Sequence, residues 1–521
     1  MGYPKPGSDT ERRRFAELQQ RLERLFRRVF ADRLAPRTVV VVPSLSLDLD
    51  IVAKITGAAR YEERLLCLLM LLRMPKTRVV YATSVAIDPT VIDYYLHLLA
   101  GVPHAHARRR LTLISCQDPS PTPLSAKILS DPKTVRRLRA AVDDPALAHM
   151  VCFTASPLER TLSVRLGVPL YGCDPALSGI GSKSGSRQVF REAGVELPEG
   201  REHLRDPPDI VEALVELKRK QPGLGRAVVK LNDGFSGEGN AVFRYRATDR
   251  RPGAERRIAR ALPGRLAFEA ADETWERYRE KFSSMGGIVE VCVEGDERRS
   301  PSVQCRIDPR RQVHEVSTHE QVLAGPSGHV FVGCEFPARD VYRAELQHDA
   351  GRVARVLRDR GVLGRFAVDF VTVRRGNRWR QYAIEINLRK GGTTHPFLML
   401  DFLTDGTYDA ATGIYCTPTG HARAYVATDN LKDRRYVGLT PSDLVEIAVE
   451  QGLHFHGPSQ EGVVFHLIGA LEQYGKLGMV CIGADLERAR QLYAHTVKIL
   501  NREGGLRARR ARVRRARSTA R

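Results

Sequence analysis

Arg365–Arg389 reads RFAVDFVTVRRGNRWRQYAIEINLR, two runs of alternating apolar residues joined at Gly376–Asn377. Gly and Asn tolerate the backbone of a tight turn, so the stretch predicts a β-hairpin. Folding about Asn377 sets Asp369 opposite Glu385, and Asn387, two residues further on, shares a face with Glu385. Three oxygen donors then converge from neighbouring strands. Mg²⁺ takes one or two carboxylates and completes its shell with water and substrate phosphates, and this trio offers that set. Taken alone, the acids also fit a surface pair held by Arg380 or Arg389. Val368, Phe370, Ile384 and Ile386 predict a buried opposite face.

Three stretches upstream carry related chemistry. In Arg226–Gly239 (RAVVKLNDGFSGEG) an apolar strand delivers Lys230 to a loop with Gly234, Gly237 and Gly239. Glycines let backbone N–H groups approach phosphate oxygens, and a lysine at the strand end adds a point charge. Such a loop by itself is equally a plain turn. In Gly181–Gly200 (GSKSGSRQVFREAGVELPEG) Lys183 opens a helix over Ser184–Ala193 that stops at Gly194 and leads to Pro198. Ile288–Gly295 (IVEVCVEG) is an apolar strand with Glu290, a carboxylate able to accept from an adenine amino group.

Taken in order, these four stretches resemble the ATP-grasp superfamily over about residues 181–400. The resemblance implies that Lys183 and Lys230 bind the α- and β-phosphates of ATP and that the Gly234/Gly237/Gly239 loop closes over the triphosphate. Glu290 and the Val293 backbone would hold adenine, Asp369, Glu385 and Asn387 one or two Mg²⁺ (or Mn²⁺), and Arg389 a developing acyl phosphate. Lys230 and Arg389 are thus the expected catalytic groups. The runs YEERLLCLLMLLRMP, GSKSGSRQVF, VVKLNDGFSGEGNAVF and EINLRKGGTTHP further resemble pheganomycin-type peptide ligases. That narrower likeness implies a carboxylate and an amine as substrates, an amino acid or peptide among them, and leaves room for a homodimer. A lid over about 213–287 would close on the nucleotide. Gly391–His395 (GGTTH) is placed to meet substrate, and His395 could accept the amine proton, although a lone histidine before proline is as readily structural.

Outward from this core, Val39–Val42, Val79–Ala82, Leu111–Ser115 and Met150–Phe153 read as buried strands. Helical stretches at Tyr61–Leu72, Asp93–Leu99 and Pro157–Leu166 separate them. Alternation of strand and helix predicts a parallel sheet, a Rossmann-like domain over 36–180 of the kind that precedes an ATP-grasp fold. No G-x-G-x-x-G follows a strand there, so no dinucleotide is expected. The expected architecture is therefore α/β: an amphipathic N-terminal helix (1–35), the Rossmann-like domain, an ATP-grasp domain of two α+β subdomains (181–400) and a C-terminal mixed segment (401–505). Within that segment Gly462–Leu471 is strand-like and Leu486–Asn501 helical.

Composition narrows the setting. At 521 residues several domains are needed. The longest apolar run, Leu65–Leu72, is far short of the about 20 residues that span a bilayer. The first residues lack the apolar stretch of a signal peptide, and nine cysteines without a C-x-x-C pair indicate neither zinc nor a disulfide framework, so a cytoplasmic, non-membrane enzyme is expected. Of the net charge of +21, eight arginines sit in Arg507–Arg521 and only 14 of the 82 basic residues are lysines. A disordered, solvated tail at 506–521 is expected, and this tail is the one place where nucleic acid would bind. Two alternatives stay open at this point: ATP-grasp chemistry of another kind, such as carboxylation or phosphorylation of a metabolite, and a non-enzymatic nucleotide- or RNA-binding protein.

Overall fold

The computed structural model describes residues 3–46, 55–234, 239–270, 272–324 and 330–519. Four parallel strands, Arg37–Val42, Thr77–Thr83, Leu111–Ser115 and Ala148–Cys152, form the first sheet, with Arg37–Val42 and Thr77–Thr83 at its centre. Arg37–Val42 is buried along its whole length, as a strand covered on both faces must be. The N-terminal helix Asp9–Leu25 lays Phe15 into the core beneath one face, and Gln19 exchanges hydrogen bonds with the Leu170 backbone.

The helix expected at Tyr61–Leu72 runs over Ala58–Arg73 and is wound as a 3₁₀-helix. Nearly all of it is buried, so packing from every side rather than an amphipathic period governs it. In this winding residues three apart stack in a row, which places Tyr61 and Arg64 on one edge.

A second, antiparallel sheet is ordered Gly200–Leu204, Gly287–Val291, Arg226–Leu231, Asn240–Arg244, Leu266–Phe268. Helices Pro207–Lys220, Ala254–Arg265 and Trp275–Met285 supply the core that packs on it. This unit contains the stretch expected to act as a lid.

The third sheet is antiparallel and has nine strands. Glu297–Arg299, Pro301–Ile307, Val313–Ala324, Val330–Phe336, Gly364–Arg375 and Arg378–Asn387 form one part of it. Ala424–Lys432, Lys476–Gly483 and Gly462–His466 continue the same sheet by pairing onto Val330–Phe336. Three strands from 401–505 therefore extend this sheet, while two short ones, Thr407–Asp409 and Ile414–Cys416, pair with each other in a small sheet of their own. One hydrophobic core joins Val39, Leu66 and Tyr95 to Phe397, Val464 and Ile482, tying the C-terminal segment to the first domain.

Two local expectations change. The strand at Gly462 ends at His466, because Leu467 takes a left-handed conformation (φ 52°) and starts a short 3₁₀ turn. The last helix spans Leu486–Thr519, so the backbone of the arginine-rich tail is helical to Thr519 where disorder is expected. Arginine and alanine are strong helix formers, and no proline interrupts the stretch. All nine cysteines are free, and among the described residues no helix is long and apolar enough to cross a membrane.

Candidate active site

One cavity of about 850 Å³ lies between the second and third sheets and receives Lys183, Lys230, Gly234, Gly239, Glu290, Val293, Asp369, Glu385, Asn387 and Arg389. Every expected site residue lines it except Gly237, which lies outside the described residues.

Lys183 is the first residue of the helix Lys183–Glu192, capped by Ser182, whose Oγ accepts from the Gly185 N–H at 3.0 Å. Asn232, just past the strand that carries Lys230, clasps this helix start. Its Oδ1 accepts from the Ser184 N–H at 3.0 Å and from Ser184 Oγ at 2.7 Å, and its carbonyl accepts from the Lys183 N–H at 3.0 Å. The two lysine-bearing elements are thereby held in one register. Gly185 lets this helix start pack on the preceding turn, since a Cβ there would stand 2.1 Å from the Gly179 carbonyl oxygen.

Lys183 and Lys230 are each paired with an acid of the same cavity. Lys183 Nζ lies 2.5 Å from Glu385 Oε1, and Lys230 Nζ lies 2.5 Å from Glu290 Oε1. Glu290 Oε2 also accepts from Arg187 at 2.9 Å, so both oxygens of the acid expected at adenine are held by cations. Arg187 escaped the sequence reading. Its place four residues after Lys183, on the same helix face, was the available signal.

In the hairpin, Asp369 pairs with Glu385 across Gly364–Arg375 and Arg378–Asn387. The pairing passes through an irregularity: Phe370 faces Ala383 while Asp369 faces Glu385, which leaves Ile384 as the extra residue of a bulge. Ile384 consequently lines the cavity and packs beside Val371, Val373 and Tyr382, not on the buried face with Val368, Phe370 and Ile386 as its alternation predicts. Asp369 is held from two sides, accepting from Asn387 Nδ2 and from Gln321 Nε2, each at 2.9 Å.

The electrostatics suit a cation. Burial, with Glu385 facing it, pushes the Asp369 carboxyl up to about 6. Burial also pushes Glu385 upward, but Lys183 and Arg389 beside it bring it below its ordinary value. Two carboxylates and an amide are a hard oxygen set. Among the described residues no three His, Cys, Asp or Glu are grouped to hold a metal unaided, so a cation held by this trio would need further ligands from substrate phosphates and water, a set that suits Mg²⁺.

His395 is buried at the start of helix Thr394–Thr404, and its Nδ1 donates to the Arg64 carbonyl at 3.0 Å. Burial, with Arg64 alongside, lowers its pKa to about 4. A ring so poorly basic is unsuited to take an amine proton near neutrality, and its bond anchors Arg64 instead.

Comparison with known proteins agrees with this geometry. A family profile described as IQCH-like, ATP-grasp matches residues 176–263 and 256–411, and one described as PGM1 C-terminal domain matches 443–496. The L-propargylglycine–L-glutamate ligase of Streptantibioticus cattleyicolor is 33% identical over 437 residues, covering 82% of this chain and 86% of that one. The IQ motif-containing protein H of Danio rerio is 24% identical over 90% of this chain, which spans about half (49%) of that protein. Biotin carboxylase of Campylobacter jejuni shares the fold at 14% identity, with a TM-score of 0.51 over 88% of this chain and 89% of that one. The chain belongs to the ATP-grasp ligases. It is an ATP-dependent ligase of the group that includes the L-propargylglycine–L-glutamate enzyme.

Proposed function

We propose that this enzyme joins the carboxylate of one amino acid or peptide to the amine of another through an acyl phosphate, releasing ADP and phosphate. The observation that carries this reading is the convergence in one cavity of two buried lysines, the facing Asp369 and Glu385, and Arg389. The S. cattleyicolor relative, named for two amino acids, supports the substrate class.

The chain's residues divide the work. Lys183 and Lys230 exchange their partners Glu385 and Glu290 for phosphate oxygens when ATP enters. That exchange frees Glu290 Oε1 for the adenine amino group, with the Val293 backbone beside it, and frees Glu385, which with Asp369 and Asn387 would hold Mg²⁺. Mg²⁺ supplies charge neutralisation on the phosphates. A substrate carboxylate oxygen attacks the γ-phosphorus, and the bond to the bridging oxygen breaks to release ADP. Arg389 neutralises charge on the acyl phosphate formed. The amine nitrogen then attacks the acyl carbon, the carbon–oxygen bond to phosphate breaks, and the amine gives up its proton. Such transfers need positioning and charge neutralisation more than covalent help. The 213–287 unit closes to keep water from the acyl phosphate.

The test replaces the amine with hydroxylamine and measures ADP and hydroxamate together over a panel of amino acids and dipeptides. Stoichiometric hydroxamate is expected. ATP turnover without hydroxamate for every accepted acid would overturn the acyl phosphate and favour the carboxylation or phosphorylation alternative.

A further inference from the structure

The cavity also takes four residues from elements other than those that carry Lys183, Lys230, Glu290 and the Asp369–Glu385 pair. Tyr61 and Arg64 enter it from the 3₁₀-helix of the first domain, Asp429 from strand Ala424–Lys432 and Lys476 from the first position of strand Lys476–Gly483. Arg64 meets Asp429 across 365 positions and Lys476 meets Tyr61 across 415, and all four line the same cavity as Asp369, Glu385 and Arg389. A volume of about 850 Å³ is near the upper end for a single small ligand, and two reactants need it.

Arg64 is rigidly placed. Its guanidinium is ion-paired with Asp429, lies 4.2 Å from the centre of the Tyr61 ring and 5.6 Å from that of Phe153, and its carbonyl is held by His395. Its Nε is buried with no partner among the described residues. Arg64 and Asp429 also line a small adjoining void with Gly391, Gly392 and Thr394, the segment that follows Arg389. The pair therefore abuts the place where the acyl group is activated.

Lys476 is the unbalanced member. It donates to the Tyr61 hydroxyl, lies 4.7 Å from the centre of that ring, and has no carboxylate within ion-pair distance among the described residues. Tyr61, Arg64, Asp429 and its cross-strand neighbour Lys432 are the titratable groups around it. Burial lowers its pKa to about 8, against the opposing pull of Asp429. Two cations and one carboxylate, part-buried together, present both signs of charge to the cavity, and Lys476 has no ion-pair partner among the described residues.

We propose that Arg64, Asp429 and Lys476 form a receptor for the charged ends of a free α-amino acid, the α-carboxylate on Lys476 and Arg64 and the α-ammonium on Asp429. This rests on the ligase reading for its purpose but not for its test. A lone carboxylate would leave Asp429 facing a like charge, and a lone amine would add a third cation. A zwitterion satisfies both signs.

The test is a thermal-shift titration of the whole protein, with and without MgADP, by each of the twenty L-amino acids. At least one raises the unfolding temperature of the wild type, as a ligand for the native state must. Lys476→Met and Asp429→Asn each weaken the half-saturating concentration at least tenfold while keeping the MgADP shift, which shows that they fold. Analogues of the bound amino acid that lack the amino or the carboxyl group bind at least tenfold more weakly. An amino-acid shift that survives both variants, or a deamino analogue that binds as well, overturns the receptor; so does an MgADP shift with no amino acid active. Amino-acid binding without hydroxamate formation would leave the receptor standing and sink the ligase reading.

Discussion

Asp369 faces Glu385 across the hairpin because one residue between the turn and the acid, Ile384, is bulged out of the second strand. The two-residue turn at Gly376–Asn377 sets Arg375 against Arg378 and would by itself set Asp369 against Ile384. A one-residue shift moves every side chain beyond it to the other face, so the bulge decides which carboxylates meet. Two acids so placed repel unless a cation joins them.

Glu385→Gln keeps the shape of that pair and removes one charge. The variant is expected to fold and to lose Mg²⁺-dependent turnover by about 10²–10³, the usual cost of one preorganised charge contact. Steady-state ADP release checks it, with circular dichroism for the fold. Near wild-type turnover would remove Glu385 from the metal set.

The raised pKa of Asp369 gives a pH window. Without metal, its protonated form is favoured in the folded state. That stabilising contribution is present below the ordinary carboxylate range and lost as pH rises through about 6. Metal makes the opposite demand, since only the carboxylate ligates. The thermal shift from MgADP should therefore grow between about pH 5 and pH 7, with a midpoint near 6. Asp369→Asn should abolish that midpoint; an unchanged profile in the variant would assign the titration to another group.

Gly185→Ala tests the packing that seats the helix start carrying Lys183 on the turn before it. The new methyl meets backbone at 2.1 Å, which no side-chain rotation relieves. A loss of about 1–3 kcal/mol in stability is expected, the range for forced overpacking, together with a higher KM for ATP as Lys183 shifts. Urea unfolding and ATP titration of ADP release measure the two effects. A variant as stable as wild type would show that the helix start can move.

Removal of 506–521 separates the enzyme from the nucleic-acid alternative. The last helix buries Ile499 and Leu500 before the arginine-rich stretch begins, so the shortened chain is expected to keep its fold and its ADP release within about twofold. Loss of function on this truncation, with Glu385→Gln fully active, would favour the RNA-binding alternative.

Much of the proposed nucleotide site was legible in the residues. Short-range rules place Lys183 at a helix start, Lys230 at a strand end, and Asp369, Glu385 and Asn387 on a hairpin, because turn chemistry and side-chain alternation act over a few residues. The same rules misplaced Ile384, since a bulge is set by how the hairpin twists against its neighbours. They were silent on Arg64, Asp429 and Lys476. These residues are far apart in the chain, and each stands in a run that reads as ordinary core or surface. Only the docking of the C-terminal strands onto the third sheet, over a core shared with the first domain, brings them to one cavity. Local sequence determined which groups are offered to the proposed nucleotide, whereas the long-range burial of apolar faces decided what shares the cavity with them.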